Sequence, residues 1–165
     1  MTVFLFIYIH FVPVKILNID IPFLTTLLSN NIVSSLFILL CFLFVINGAN
    51  LIDGFNGLLA INLIIINSIL AYINLADGIN EFSVVIIGQI IVLFSFLLFN
   101  FPSAKIFLGD SGSYLLGSTV ALNVIITNNL NPYYSSFFFC ILLFYLFFEV
   151  FFSFFRKIIQ KKSPI

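Results

Sequence analysis

Charge is what this chain has least of. Asp, Glu, Lys and Arg make up 7% of its 165 residues, while 62% are hydrophobic; an ordinary globular domain is about 25% charged. A soluble fold with so few charges could not cover its own surface, so the chain reads as a polytopic membrane protein. The charges present cancel, six basic against six acidic. That balance excludes the basic footprint of a nucleic-acid binder. Cysteine is nearly absent: Cys41 and Cys140 both fall inside apolar runs without disulfide or metal spacing, so both are expected as buried thiols. The first apolar run has neither a basic leader nor a small-residue cleavage site, so no cleavable signal peptide is expected. The abundance of Phe, at 24 residues, together with Ile and Asn, reads as compositional bias.

What the chain does have is a series of apolar runs. They cover residues 1–14, 32–46, 58–75, 82–101, 113–127 and 135–155. The first is shorter than the roughly 20 residues a spanning helix needs. The others predict an all-α, polytopic transmembrane bundle of about five to six membrane-spanning helices, in a single membrane domain over residues 1–165. Residues 15–31, with Asp20 and Pro22, read as a loop with some extended character. Lys and Arg bias sets the orientation. With the C-terminal tail in the cytoplasm, Lys105, Arg156, Lys157, Lys161 and Lys162 are cytoplasmic and only Lys15 is outside. The loops at 47–57 and 100–113 then share the cytoplasmic face.

Those two loops are the least oily parts of the sequence. Residues 47–59 read NGANLIDGFNGLL. Asn47, Asn50, Asp53 and Asn56 recur every third position, which keeps neighbours on one broad helix face. Asp53-Gly54 and Asn56-Gly57 are also turn formers, so the helix is expected to break here. Residues 100–117 read NFPSAKIFLGDSGSYLLG. Pro102 stops one helix, and Ser111 or Ser113 is placed to cap the next. Taken alone, Asp110 would be a capping acid favoured by the helix dipole. Beside Asp53 on the same membrane face, it becomes a candidate Mg²⁺ ligand, because Mg²⁺ favours one or two carboxylates plus phosphate oxygens. A lysine, a carboxylate and free N–H groups at a helix start suit a metal-bound phosphate.

Other polar residues have plainer readings. Ser113, Gly117 and Ala121 form a small-residue ladder for close helix packing. Asn62, Asn67, Gln89 and Asn123 are expected to hydrogen-bond between helices. Glu149 is either a partner for a helix-end base or a site-facing carboxylate. GDSGS also occurs around the nucleophile of trypsin-like proteases, but the lone histidine, His10, sits in a separate apolar run and the β composition is missing. No Gly-Lys-Ser/Thr follows the glycines, so a P-loop fails too.

NGANLIDGFNGLLA and FNFPSAKIFLGDSGSYLLG together resemble the polyprenyl-phosphate N-acetylhexosamine-1-phosphate transferases, glycosyltransferase family 4, in motif order, spacing and shared membrane side. The resemblance covers most of the chain and makes it an internal core of a larger transferase. It implies transfer of a sugar 1-phosphate from a UDP-sugar to a polyprenyl phosphate such as undecaprenyl phosphate, with release of UMP, at the cytoplasmic face of the inner membrane in cell-envelope glycan synthesis. It implies Mg²⁺ on Asp110, with Asp53 as a second catalytic carboxylate and Asn50 beside it in the nucleotide-sugar site. Asn56 stands where many members have an aspartate near the uracil. Phe107 matches an aromatic that stacks on the uracil, and Asn100 matches the asparagine before the proline turn. Gly54, Gly57 and Gly109 match glycines that permit a tight backbone.

The chain departs from the family in two places. Members carry a DDxxD-type motif on an earlier helix, and this sequence has no Asp-Asp pair. It ends at KKSPI, where the family's His-rich loop would begin. The expectation is therefore an internal piece of the family's core, split or truncated, that is completed by another chain; a homodimer is the other protein partner weighed. The alternatives are a catalytically incomplete remnant and a small transporter or channel subunit using Asp53, Asp110 and Glu149.

Overall fold

A computed structural model of the protein describes residues 21–160. The first apolar run with His10, Lys15, and the tail lysines Lys161 and Lys162 lie outside the described residues. Seven helices follow one another: α1 (Pro22–Leu28), α2 (Asn31–Ile52), α3 (Leu58–Ala76), α4 (Asn80–Asn100), α5 (Gly109–Leu130), α6 (Ser136–Leu142) and α7 (Phe144–Ile159). Among the described residues all regular structure is helical, as expected for a helical membrane bundle.

Local chemistry sets the boundaries. Asn30 caps α2, its Oδ1 accepting from the Ile32 N–H at 3.0 Å, and Ser135 caps α6 in the same way through Phe137 at 3.2 Å. Asp77-Gly78 turns the chain between α3 and α4, with Gly78 at φ +77. α4 stops because Phe101 precedes a proline and adopts extended backbone. Three expectations are corrected here. The cysteines are not both buried thiols, since Cys41 is half-buried and Cys140, on α6, is exposed. Residues 15–31 are not all loop: Pro22 starts α1, since proline suits the first helical position. The apolar run 135–155 is not one helix either, because it breaks at Leu143 and α6 and α7 meet at a 60° bend.

α2, α3 and α4 are each long and apolar enough to cross a membrane, and the bent α6–α7 pair makes a fourth candidate span. α5 matches them in length at 22 residues but carries a buried polar stripe. On it, Asn123 Nδ2 donates to Asn67 Oδ1 at 3.1 Å and to Gln89 Oε1 at 2.6 Å, and Thr127 Oγ1 accepts from Asn74 Nδ2 at 2.9 Å. The Asn123 bonds are the interhelical ties expected of Asn67, Gln89 and Asn123, the Asn74–Thr127 bond is an additional one, and Asn62, expected to join them, has its Oδ1 buried without a partner among the described residues. Unpaired amides in hydrocarbon would be costly, so each bond helps fix helix register.

α3 packs on α4 and α5, and α2 packs on α5 and α7. The core runs through Ile38, Phe42, Leu63, Leu70, Ile86 and Leu93, while Phe94, Leu98, Phe148 and Phe152 face outward. α2 is approached closely from two sides. A Cβ on Gly117 would lie 2.9 Å from Ala49 Cβ and 3.1 Å from Ile46 Cα, and one on Gly48 would meet the Leu146 backbone, 2.9 Å from its carbonyl carbon. The ladder Ser113–Gly117–Ala121 is buried throughout, as close packing requires. This brings the end of α2 and the start of α5 together.

Candidate active site

The site forms where α2 and α4 end and α3 and α5 begin. α2 stops at Ile52, and residues 53–57 turn the chain into α3. Gly57 makes that turn at φ +75, where an added Cβ would lie 3.0 Å from Leu97 Cδ1 and 3.1 Å from Phe101 Cβ. Any other residue would be both strained and crowded. Gly109 begins α5 at φ +64. Gly54 is different: its φ is not positive, and an added Cβ would meet only the Leu51 carbonyl oxygen, at an ordinary 3.7 Å, so a backbone that favours glycine is found at Gly57 and Gly109 but not at Gly54.

One buried side chain ties the two loops. Asn100, 5% exposed, accepts from the Gly57 N–H at 2.5 Å through Oδ1 and donates through Nδ2 to the Ile106 carbonyl at 2.8 Å. Asn56 adds a second tie, its Nδ2 donating to the Pro102 carbonyl at 3.1 Å. The 101–108 loop is held to α4 by the Lys105 N–H donating to the Phe99 carbonyl at 2.9 Å.

A second cluster joins α2 to α5. Ser113 Oγ donates to Asn50 Oδ1 at 2.8 Å and lies 3.1 Å from the Asp110 carbonyl; Asn50 Nδ2 donates to the Tyr114 hydroxyl at 3.4 Å. Neither Ser111 nor Ser113 caps α5. The helix already begins at Gly109, no side chain caps it, and Ser113 lies inside it. The first-turn N–H groups are thus left to water or a ligand, and an anion is favoured there.

Asp110 is exposed in that first turn, and Asp53 is half-buried at the end of α2. Burial, and then the charge of Asp110, raise the Asp53 carboxyl above its ordinary value. The charge of Asp110 thus reaches Asp53 across the gap between α2 and α5. Among the described residues no three His, Cys, Asp or Glu side chains gather as a metal cage. Two carboxylates beside an anion-attracting helix start could hold a Mg²⁺ whose shell is completed by water and phosphate oxygens.

The structure therefore brings together Asn50, Asp53, Asn56, Asn100 and Asp110. Phe107 stands on the same loop, 75% exposed, with its ring open to a planar partner. Glu149 is half-buried on α7, one turn beyond the Leu146 that meets Gly48. Two members of the cluster were not anticipated from the sequence: Tyr114, and Ser113 as the partner of Asn50. The only available signal was Ser113's position three residues after Asp110, on the same helix face.

Residues 1–128 match the family model described as Glycosyl transferase family 4. The chain is 34% identical over 131 residues to an undecaprenyl-phosphate alpha-N-acetylglucosaminyl 1-phosphate transferase of Thermotoga maritima, a match covering 78% of this chain and 38% of that protein. It is 43% identical over 82 residues to a phospho-N-acetylmuramoyl-pentapeptide-transferase of Leuconostoc mesenteroides, covering 48% of this chain and 25% of that protein. The chain thus spans less than half the length of either relative. No solved structure matches it.

Proposed function

Because the chain belongs to glycosyl transferase family 4, we propose that it carries the donor-binding core of a polyprenyl-phosphate N-acetylhexosamine-1-phosphate transferase. The substrates are a UDP-sugar and a polyprenyl phosphate, and the setting is the cytoplasmic face of the inner membrane in cell-envelope glycan synthesis. The observation that carries this reading is the double tie made by Asn100, which locks the Asp53 turn and the loop leading to Asp110 into one polar surface at one end of an apolar bundle.

In the reaction, an oxygen of the lipid phosphate attacks the sugar-linked phosphorus of the UDP-sugar. The bond from that phosphorus to the bridging oxygen breaks, and UMP leaves with that oxygen. Such a transfer needs alignment and charge neutralisation more than covalent help. Asp53 and Asp110 are the side chains to hold Mg²⁺, which when bound offsets the diphosphate charge and improves UMP as a leaving group. The uncapped start of α5 receives phosphate oxygens. The open ring of Phe107 stacks on the uracil, and Asn56 supplies a hydrogen-bonding edge near it. Asn50, locked by Ser113 and Tyr114, keeps the end of α2 in register with α5.

A second reading is donor binding without turnover, since the match covers 38% of the Thermotoga relative. The test is UMP release in membranes expressing this chain, supplied with UDP-N-acetylglucosamine, undecaprenyl phosphate and Mg²⁺. Release that requires the lipid, Mg²⁺ and Asp110 supports the transferase. Donor binding without release supports the second reading, and neither binding nor release overturns both.

A further inference from the structure

α2 and α5 meet in rungs that climb toward the carboxylates. At the lowest of these, Gly117 lies against α2, where an added Cβ would come within 2.9 Å of Ala49 Cβ and 3.1 Å of Ile46 Cα. One turn nearer the site, Ser113 and Tyr114 meet Asn50. Ser113 Oγ donates to Asn50 Oδ1 at 2.8 Å and lies 3.1 Å from the Asp110 carbonyl, and Asn50 Nδ2 donates to the Tyr114 hydroxyl at 3.4 Å. The next turn carries Asp53 and Asp110. Helical register runs through Asp53, whose N–H donates to the Ala49 carbonyl at 3.2 Å. Asn50 therefore stands one turn inside Asp53, and Ser113 and Tyr114 one turn inside Asp110.

Among the described residues, these are the only side-chain hydrogen bonds between α2 and α5. The Gly117 contact fixes how close the two helices come. The hydrogen-bonded rung above it fixes how far their ends splay. Beyond that rung, Asp53 and Asp110 carry like charges, which push the ends apart. Ser113 is fully buried, so bulk water does not replace its bond when the hydroxyl is removed. Divalent cations are sensitive to such spacing. Mg²⁺ binds oxygen at about 2.0–2.1 Å in a strict octahedron, whereas Ca²⁺ accepts about 2.3–2.6 Å in a looser shell. A few tenths of an ångström in the approach of two carboxylates therefore separates the two ions.

We propose that Ser113 and Tyr114 are positioning residues that act through Asn50: they set the spacing of Asp53 and Asp110, and with it a preference for Mg²⁺ over the larger Ca²⁺. This inference rests on the transferase reading, in which those two carboxylates hold the metal for a UDP-sugar.

The test is equilibrium binding of radiolabelled UDP-N-acetylglucosamine to membranes containing the full chain, titrated separately with Mg²⁺ and with Ca²⁺. The quantity read is the ratio of the two cation concentrations that give half-maximal donor binding. A ratio cancels a general loss of donor affinity or of folded protein, which a merely structural role would cause. The wild-type chain should need less Mg²⁺ than Ca²⁺. Tyr114→Phe removes only the hydroxyl and should lower that preference about threefold; Ser113→Ala with Tyr114→Phe should lower it about tenfold, as the loss of one and then two modest hydrogen bonds predicts. Phe107→Ala should weaken donor binding and leave the ratio unchanged. A wild-type chain that does not distinguish the ions overturns the proposal. So does an unchanged ratio in Tyr114→Phe, a variant that keeps the ring and so decides the matter even where the double variant fails to fold. In both cases cation-dependent donor binding that Asp110→Asn removes leaves the transferase reading standing. Wild-type membranes that bind no donor, or bind it without any divalent cation, overturn both.

Discussion

Asn100 joins two loops that are distant in sequence, and both ends of its amide are used inside a nearly closed environment. Leaving buried donors and acceptors unpaired costs about 1–3 kcal/mol each. Asn100→Ala should therefore lower thermal stability by a few kcal/mol and loosen the donor surface. Asn100→Asp keeps the acceptor for Gly57 but loses the donor to Ile106, and should fall between. Phe107 sits at the opposite extreme: its ring is mostly exposed, so Phe107→Ala should leave the melting temperature unchanged while raising the apparent KM for UDP-sugar about tenfold with kcat little altered. An unchanged KM would remove Phe107 from the site. Asp53 yields a pH dependence. Its folded-state carboxyl is raised by burial and by Asp110, so the folded chain holds that proton more tightly than the unfolded one. Stability without metal should then fall as pH rises from the ordinary carboxylate range through the raised folded value. Asp53→Asn should remove that slope, as thermal denaturation across acidic buffers would reveal; an equal slope in the variant would refute the assignment.

At the scale of elements, the helices themselves were legible because apolar runs of spanning length leave little else for a backbone in a bilayer to do. The break at Leu143 was not legible. No Pro or Gly marks it, and the run from Ser135 to Phe155 reads as continuous. α1 was hidden for the opposite reason, since Pro22 looks like a breaker until its position at the helix start is known. The start of α5 was misplaced by a few residues because serines invite a capping role. Tertiary contact recruited Ser113 for Asn50 instead, 63 residues away in sequence. The glycine contacts on α2 make a sharp comparison. Gly48→Ala forces a Cβ into the Leu146 backbone and should destabilise the bundle by about 1–3 kcal/mol. Gly88→Ala, on α4 with nothing within 4 Å of its added Cβ, should be neutral or slightly stabilising, because alanine suits a helix better. Unfolding in mixed detergent would rank the two; equal effects would contradict close packing at Gly48.

For the whole molecule, what matters is that an apolar bundle brings its polar loops together at one end. The sequence already placed the 47–57 and 100–113 loops on the same side by counting helices, and the hydrogen bonds between them agree. Pairwise links such as Asn50 with Tyr114 could not be read, since they depend on how α2 and α5 pack. The proposed orientation makes a further prediction. In right-side-out cells, an impermeant thiol reagent should label a Cys substituted at Asp77, in the α3–α4 turn, and spare one substituted at Lys105 until the membrane is opened. The reverse pattern would place the site outside and separate it from cytoplasmic UDP-sugar.

The most direct test of the central claim is equilibrium binding of radiolabelled UDP-N-acetylglucosamine to membranes containing this chain, with and without Mg²⁺, beside Asp110→Asn and Asn100→Ala. A single donor site built from both loops predicts saturable, Mg²⁺-dependent binding that Asp110→Asn abolishes and Asn100→Ala weakens at least about tenfold, the equivalent of roughly 1.4 kcal/mol. Binding that is indifferent to Mg²⁺ and to both substitutions would contradict it.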